Sequence, residues 1–271
     1  MVKILSKALA FMKRDFIQEL SYRLNFIFQF TGMLFTVFSF YFLAKLIGPS
    51  AEPRLAKYGG DYFSFALTGI AFSSFLTVAL TAFSQQIRQA QVLGTMEAML
   101  VTRTSISGLV AYSSLYPFIF TSFRVFLLLL VGNIFFDVPL HASGIPVSLV
   151  VMLLTVMSFA GIGILGASFI MVFKRFEPIT WMVSGLSYLL GGVIYPISVL
   201  PDWLRPFSEI LPITHALEAI RLVLVAGRPW SDALESLYAL VILTVVTLPV
   251  GLVSFSLAVK RAKKDGTLTH Y

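Results

Sequence analysis

Long uninterrupted apolar blocks constrain this chain more than any other feature of its sequence. Six blocks run roughly over Leu24–Ile47, Tyr62–Phe83, Ile106–Phe136, Pro146–Phe173, Ile179–Leu200 and Leu234–Val259. Each supplies the ~20 helical residues that cross a bilayer core of about 30 Å, without the alternation of barrel strands. Only 12% of the 271 residues are charged, about half of the ~25% found in soluble domains. The blocks predict an all-α polytopic membrane protein with six transmembrane helices.

The charges between the blocks predict the orientation of the chain. The N-terminal segment, the connections at 84–105 and 174–178 and the C-terminal tail carry thirteen Lys and Arg against five Asp and Glu, and we call this the basic side. The other connections, the acidic side, carry five Lys and Arg against eight Asp and Glu. Because basic connections stay in the cytoplasm, we expect cytoplasmic termini in a plasma membrane. The net charge of +7 is thus explained by topology and not by nucleic acid as a partner.

The first 23 residues predict an amphipathic helix. Leu5, Leu9, Met12, Phe16 and Leu20 recur at helical spacing and form one apolar stripe. Such a helix lies in the headgroup plane, with its basic side toward anionic membrane lipids. It is either a simple anchor or an anchor that also contacts a cytoplasmic partner.

The connection 84–105 is polar and compatible with a helix, but Gly94 interrupts it. Thr95 is predicted to cap a second short helix over 96–101. Glu97 then falls in the first turn, where the helix dipole favours an acid. Spacing alone indicates a capped connector between two spans.

The stretch 196–230 is apolar but rich in proline. Pro196, Pro201, Pro206 and Pro212 follow one another every five or six residues, which no straight helix tolerates. The pattern predicts short interfacial or re-entrant helices, which at bilayer depth need burial against protein or a wet cavity.

Charged residues within these apolar regions are candidates for function. His215, Glu218 and Arg221 are spaced by three residues, which predicts a solvated face with ion pairs between neighbours. Arg124 is the one charge well inside a predicted span. It either lines the translocation pathway, facing a cavity or an anionic headgroup, or extends to the outer interface.

Two stretches resemble signatures of the ABC-2 type transporter permeases. Residues 94–100, Gly-Thr-Met-Glu-Ala-Met-Leu, resemble the family's G-T-x-E-x-L/M-L loop. Residues 196–201 and 211–221 resemble its P-x-S-x-L-P and L-P-x-T-x-x-x-E-x-x-R elements. The resemblance covers essentially the whole chain, 1–271, as a single transmembrane domain.

The resemblance implies a permease subunit of an ATP-driven exporter in a prokaryotic inner membrane. It implies a homodimer of permeases with two copies of a cytoplasmic ABC ATPase, and alternating access to the cavity. The sequence has no G-x-x-x-x-G-K-[ST] phosphate loop, so we expect no cofactor on this chain and ATP with Mg²⁺ on the partner.

The resemblance also implies roles for individual residues. The ATPase-coupling residues are Gly94, Thr95, Glu97 and Leu100, with Arg88 before them. The outer re-entrant segment includes Pro196, Pro201, Pro212, Glu218 and Arg221.

The sequence leaves the cargo and one rival function open. The cargo is a hydrophobic or amphiphilic compound or a lipid-linked glycan, and 26 Phe residues slightly favour an apolar one. The alternative is a secondary transporter driven by an ion gradient. Acids in the middle of the spans or paired broken helices would support it, and the missing carboxylates count against it. A membrane-embedded enzyme would need a catalytic constellation, and the sequence offers none.

Overall fold

A computed structural model describes residues 2–21, 23–92, 106–173 and 177–264, and these ranges form helices joined by turns and short loops. The α-helices within them are α1 (Val2–Ser21), α2 (Arg23–Leu55), α3 (Tyr62–Val92), α4 (Ile106–Phe136), α5 (Ile145–Phe173), α6 (Glu177–Leu190), α7 (Arg205–Glu209), α8 (Pro212–Ile220) and α9 (Leu234–Lys264). No strand occurs in these ranges. The predicted all-helical class is confirmed.

Five of the described helices are long and apolar enough to cross a membrane. Their apolar stretches cover 27–48 in α2, 62–83 in α3 and 114–136 in α4, together with 142–172 and 230–262, which include most of α5 and α9 and the short turn before each. The fifth predicted span, Ile179–Leu200, is wrong in its extent, because α6 ends at Leu190 after 14 residues. A helix of that length is ~21 Å long, shorter than a bilayer core of about 30 Å.

Two glycines end α6 and turn the chain against α3. Gly192 has a φ of +72°, a left-handed conformation that glycine adopts without strain. The turn touches α3 at Gly69, where a Cβ atom would lie 1.8 Å from the carbonyl oxygen of Val193. Gly69 lies seven residues after the first residue of α3. Measured along the axis of α3, the end of α6 is therefore about 10 Å from the point at which α3 begins.

Spans α2, α4 and α5 pack on α3, whose apolar stretch is 72% buried. Backbones approach closely at Gly163, where a Cβ would lie 1.8 Å from the carbonyl oxygen of Ala79 in α3. On its other flank α5 packs on α9, and Thr244 donates a 3.2 Å hydrogen bond to the carbonyl oxygen of Leu154. Small residues permit such close packing in membranes. Gly163 therefore serves the packing of α5 on α3.

The predicted N-terminal helix is present as α1. It packs on the start of α4, with 5.9 Å between the ring centroids of Phe11 and Tyr112. Leu9, Phe16 and Leu20 of the predicted stripe are each about half exposed. These three side chains therefore face away from the helix bundle.

Candidate functional site

The proline-rich stretch folds into short helices whose starts coincide with prolines. Pro196 precedes a 3₁₀ turn at Ile197–Val199, and Pro206 lies in the first turn of α7. Pro212 is the first residue of α8, and the carbonyl oxygen of Pro201 accepts a 2.9 Å bond from the N–H of Leu204. Proline is tolerated at a first helical position because the N–H it lacks would have no partner there. The predicted succession of short helices is confirmed.

Helix α8 is inserted into the bundle. Its apolar side chains are at most 1% exposed at Ile213, Ala216, Leu217 and Ile220. The chain continues from α8 into a π-helical turn, Arg221–Val225, a geometry often found at functional sites. The apolar faces of α3, α5 and α9 therefore surround a segment that no single straight helix could form.

Arg221 lies at the centre of this segment with 3% of its surface exposed. Its guanidinium donates to the carbonyl oxygens of Gly192 (2.8 Å), Val193 (2.8 Å) and Phe65 (2.9 Å). Its Nε also lies 3.4 Å from the hydroxyl oxygen of Thr68. We call these five residues the arginine clamp. One side chain thus joins the end of α6, the start of α3 and the turn after α8.

The interruption of the helices explains why an arginine occupies this position. The end of a helix leaves carbonyl oxygens without partners, and such groups are costly to bury in an apolar surrounding. A guanidinium offers five N–H donors in a fixed plane, which suits several acceptors at once. An arginine side chain keeps its charge in proteins, so the guanidinium donates to these carbonyls as a cation.

The predicted solvated face of His215, Glu218 and Arg221 is wrong. Arg221 is buried against backbone carbonyls, and Glu218 accepts hydrogen bonds from Lys57 and Tyr58 in the α2–α3 connection. A nitrogen of His215 lies 2.7 Å from the carbonyl oxygen of Glu209. The three residues therefore bind three different parts of the chain.

Tyr58 extends the clamp to the α2–α3 connection. Its ring packs on that of Phe65 with 5.3 Å between centroids, and its hydroxyl donates to Glu218. Burial, and then the carboxylate of Glu218, raises the pKa of Tyr58. The phenol therefore remains a hydrogen-bond donor throughout the neutral range.

A comparison with known protein families finds a match that includes all residues of this site. The sequence profile of a family described as ABC-2 type transporter matches residues 7–225. The chain belongs to the ABC-2 type transporter family. The match reaches from α1 to the end of the π-helical turn and so includes the arginine clamp. None of the curated proteins compared with the chain matches it.

The ABC-2 permease is a multi-pass membrane protein in which α3 connects the clamp with the predicted coupling element. The clamp contacts α3 between Phe65 and Gly69, and the helix continues unbroken to Val92, about 40 Å from Phe65. Arg88 lies in the last turns of this helix. Gly94, Thr95, Glu97 and Leu100 lie outside the described residues, so their coupling role stays a prediction.

Arg124 is in the middle of the apolar stretch of α4. It lies ten residues after Ser114 and twelve before Phe136, the ends of that stretch, so its Cα is about 18 Å from the acidic-side end. Its side chain is partly buried, and it forms no ion pair or hydrogen bond with any residue in the described ranges.

Proposed function

We propose that this ABC-2 permease is the membrane subunit of an ATP-driven exporter. Membership of a transport family, shown by the match over residues 7–225, carries this proposal. The sequence lacks a nucleotide-binding phosphate loop, so a separate cytoplasmic ATPase binds ATP and Mg²⁺. Two copies of the permease act with two ATPase subunits in the inner membrane of a prokaryote.

The proposed topology has six crossings, and α6 together with the proline-rich segment forms the fifth. Helix α6 is ~21 Å long, and its end lies ~10 Å from the start of α3 along the axis of α3. The sum of these lengths matches the thickness of a bilayer core. The segment after Gly192 is re-entrant because it fills this remaining depth from the outside. The basic side is cytoplasmic, as its excess of Lys and Arg favours.

Single cysteines test this topology, because the native chain contains none. Cysteines at Ser50 and Ser143 should react with an impermeant thiol reagent from outside. A cysteine at Ser107 should react from inside. Labelling of Ser107→Cys from outside alone would refute the proposed orientation.

The clamp supports a mechanism for alternating access. Closure of the ATPases on ATP moves the coupling element at 94–100, and α3 carries this movement to Phe65 and Thr68. Arg221 ties that end of α3 to the end of α6 and to α8. A shift of α3 therefore moves the re-entrant segment and changes access from the outside.

The cargo is a hydrophobic or amphiphilic compound or a lipid-linked glycan. Arg124 lines the pathway, because a cation in the middle of a span favours an anionic partner. Lipid covers the exposed face of α2, whose apolar stretch is only 17% buried.

Co-purification of the ATPase tests the assignment as an exporter subunit. A tagged permease expressed with its ATPase should capture it, and Glu97→Lys should weaken capture by reversing a charge at the proposed contact. Losing a desolvated ion pair costs about 3–5 kcal/mol. Glu235→Lys is the matched control, because Glu235 is an exposed acid on the acidic side. Failure of the wild-type permease to capture the ATPase would contradict the proposal.

A further inference from the structure

An apolar pocket of about 270 Å³ lies between α4 and α5. Its floor contains the buried side chains of Phe72, Val125 and Leu224. Its rim contains Phe126 and Ile145, which are 60% and 50% exposed. The pocket is therefore closed toward α3 and open on the outer surface of the helix bundle.

The pocket presents only hydrocarbon to a ligand. Its two serines use their hydroxyls within their own helices: Ser122 donates to the carbonyl oxygen of Phe118 at 2.9 Å, and Ser148 donates to that of Gly144 at 2.8 Å. A buried water needs two to four polar partners, and an apolar cavity of about 150 Å³ already accepts benzene. A pocket of this size and lining therefore suits an alkyl chain.

The mouth of the pocket continues into the exposed apolar surface of two spans. Leu149 on the rim and Leu153, one turn further along α5, are 56% and 59% exposed. Leu149 lies four residues from the acidic-side start of α5, or about 6 Å, and Leu130 lies six residues from the acidic-side end of α4, or about 9 Å. At these depths the surrounding medium is the acyl region of one leaflet.

We propose that this pocket binds one acyl chain of a phospholipid from the leaflet on the acidic side. Leu224 belongs to the π-helical turn that begins at Arg221, and Phe72 follows Thr68 by one turn of α3. A bound chain packs against both and supports the arginine clamp from its lipid-facing side. The lining recognises the chain alone, so binding does not depend on the headgroup.

Photolabelling in lipid nanodiscs tests the site. The probes are phosphatidylglycerol and phosphatidylcholine that carry a diazirine in the middle of one acyl chain. Both should label residues 122–130 and 145–152 several-fold more strongly than residues 34–43 on the exposed face of α2. A headgroup requirement, or equal labelling of the pocket and α2, would overturn the proposal.

Variants with a larger side chain in the pocket provide a matched comparison with the wild-type protein. Ser122→Phe should reduce labelling of the pocket to the level of α2, with Ser148→Phe as a second variant should the first fail to fold. Ser39→Phe is the control, because Ser39 is exposed and its hydroxyl also donates to a carbonyl oxygen four residues earlier. Pocket labelling that persists in the correctly folded filled variant would overturn the proposal. So would a disulfide between two copies of Ser148→Cys, because a second protomer would then cover the pocket.

Discussion

The guanidinium of Arg221 contacts Phe65 in two ways. It donates a 2.9 Å hydrogen bond to the carbonyl oxygen of Phe65, and its Cζ lies 3.4 Å from the centroid of the same residue's ring. A cation over an aromatic face is attracted by the ring quadrupole, and more strongly when desolvated. The contact fixes the turn after α8 to α3 across 156 positions of sequence.

Replacing Arg221 by lysine should destabilise the permease. An ammonium group is a point charge without the planar fork of guanidinium, so it cannot serve the carbonyls of Phe65, Gly192 and Val193 together. The carbonyl oxygen of Phe65 also accepts from the hydroxyl of Thr68 at 2.9 Å, so the loss falls on those of Gly192 and Val193. Each buried acceptor left without a donor costs about 1–3 kcal/mol. Melting of the purified protein measures the loss. Arg228→Lys is the control, because Arg228 is partly exposed and pairs with Asp232 at 3.6 Å; equal melting temperatures for the two variants would contradict the clamp.

Adding one methyl group at Gly69 should separate the end of α6 from α3. The new Cβ would lie 1.8 Å from the carbonyl oxygen of Val193 and 2.7 Å from a nitrogen of Arg221. Such overpacking lowers the free energy of unfolding by about 1–3 kcal/mol. At Gly32 the same substitution meets nothing within 4 Å, and alanine favours a helix over glycine by about 1 kcal/mol. Denaturation should show loss of stability for Gly69→Ala only; a neutral Gly69→Ala would mean that the turn does not lie against α3.

Stability should depend on Tyr58 at alkaline pH. The pKa of Tyr58 is raised above its ordinary value of 10.0 by burial and by Glu218. Its contribution to the free energy of unfolding is therefore fully present below pH 10 and is lost as the pH rises above that value. Melting of wild type and Tyr58→Phe should differ most below pH 10 and converge above it. A difference in melting temperature between wild type and Tyr58→Phe that grows with pH would contradict this prediction.

Removing the charge of Arg124 should impair transport without impairing assembly. In Arg124→Leu the apolar stretch of α4 becomes more hydrophobic, so membrane insertion should be unchanged, while an anionic group of the cargo loses its partner. Arg124→Lys keeps a charge and should retain part of the activity. The readout is transport at equal expression in membrane vesicles. Full transport by Arg124→Leu would remove Arg124 from the pathway.

The spans were predictable from sequence because hydropathy reports burial in lipid directly. Their helical ends were not, since helices continue in water: α2 extends from the predicted Ile47 to Leu55, and α3 extends from Phe83 to Val92. The end of α6 was missed for the opposite reason. Apolar residues continue to Leu200, and only the pair Gly191-Gly192 indicates that the helix stops.

The clamp could not be predicted from the spacing of Arg221. Its acceptors are backbone carbonyls 28, 29 and 156 positions away, and backbone groups leave no residue pattern. One local signal was present: the run Leu222–Val225 directly after Arg221 is apolar throughout, which is unlike a solvated face. The proline pattern was informative because proline limits the helix locally, whatever the tertiary contacts.

The energy source of transport tests the central claim most directly. Inside-out proteoliposomes with the permease and its ATPase should accumulate a lipophilic fluorescent dye when ATP is added. Accumulation should persist after ionophores collapse the proton and sodium gradients, and it should cease when either subunit is left out. Dye uptake by the permease alone under an imposed ion gradient, unchanged by ATP, would contradict the assignment as an ATP-driven exporter.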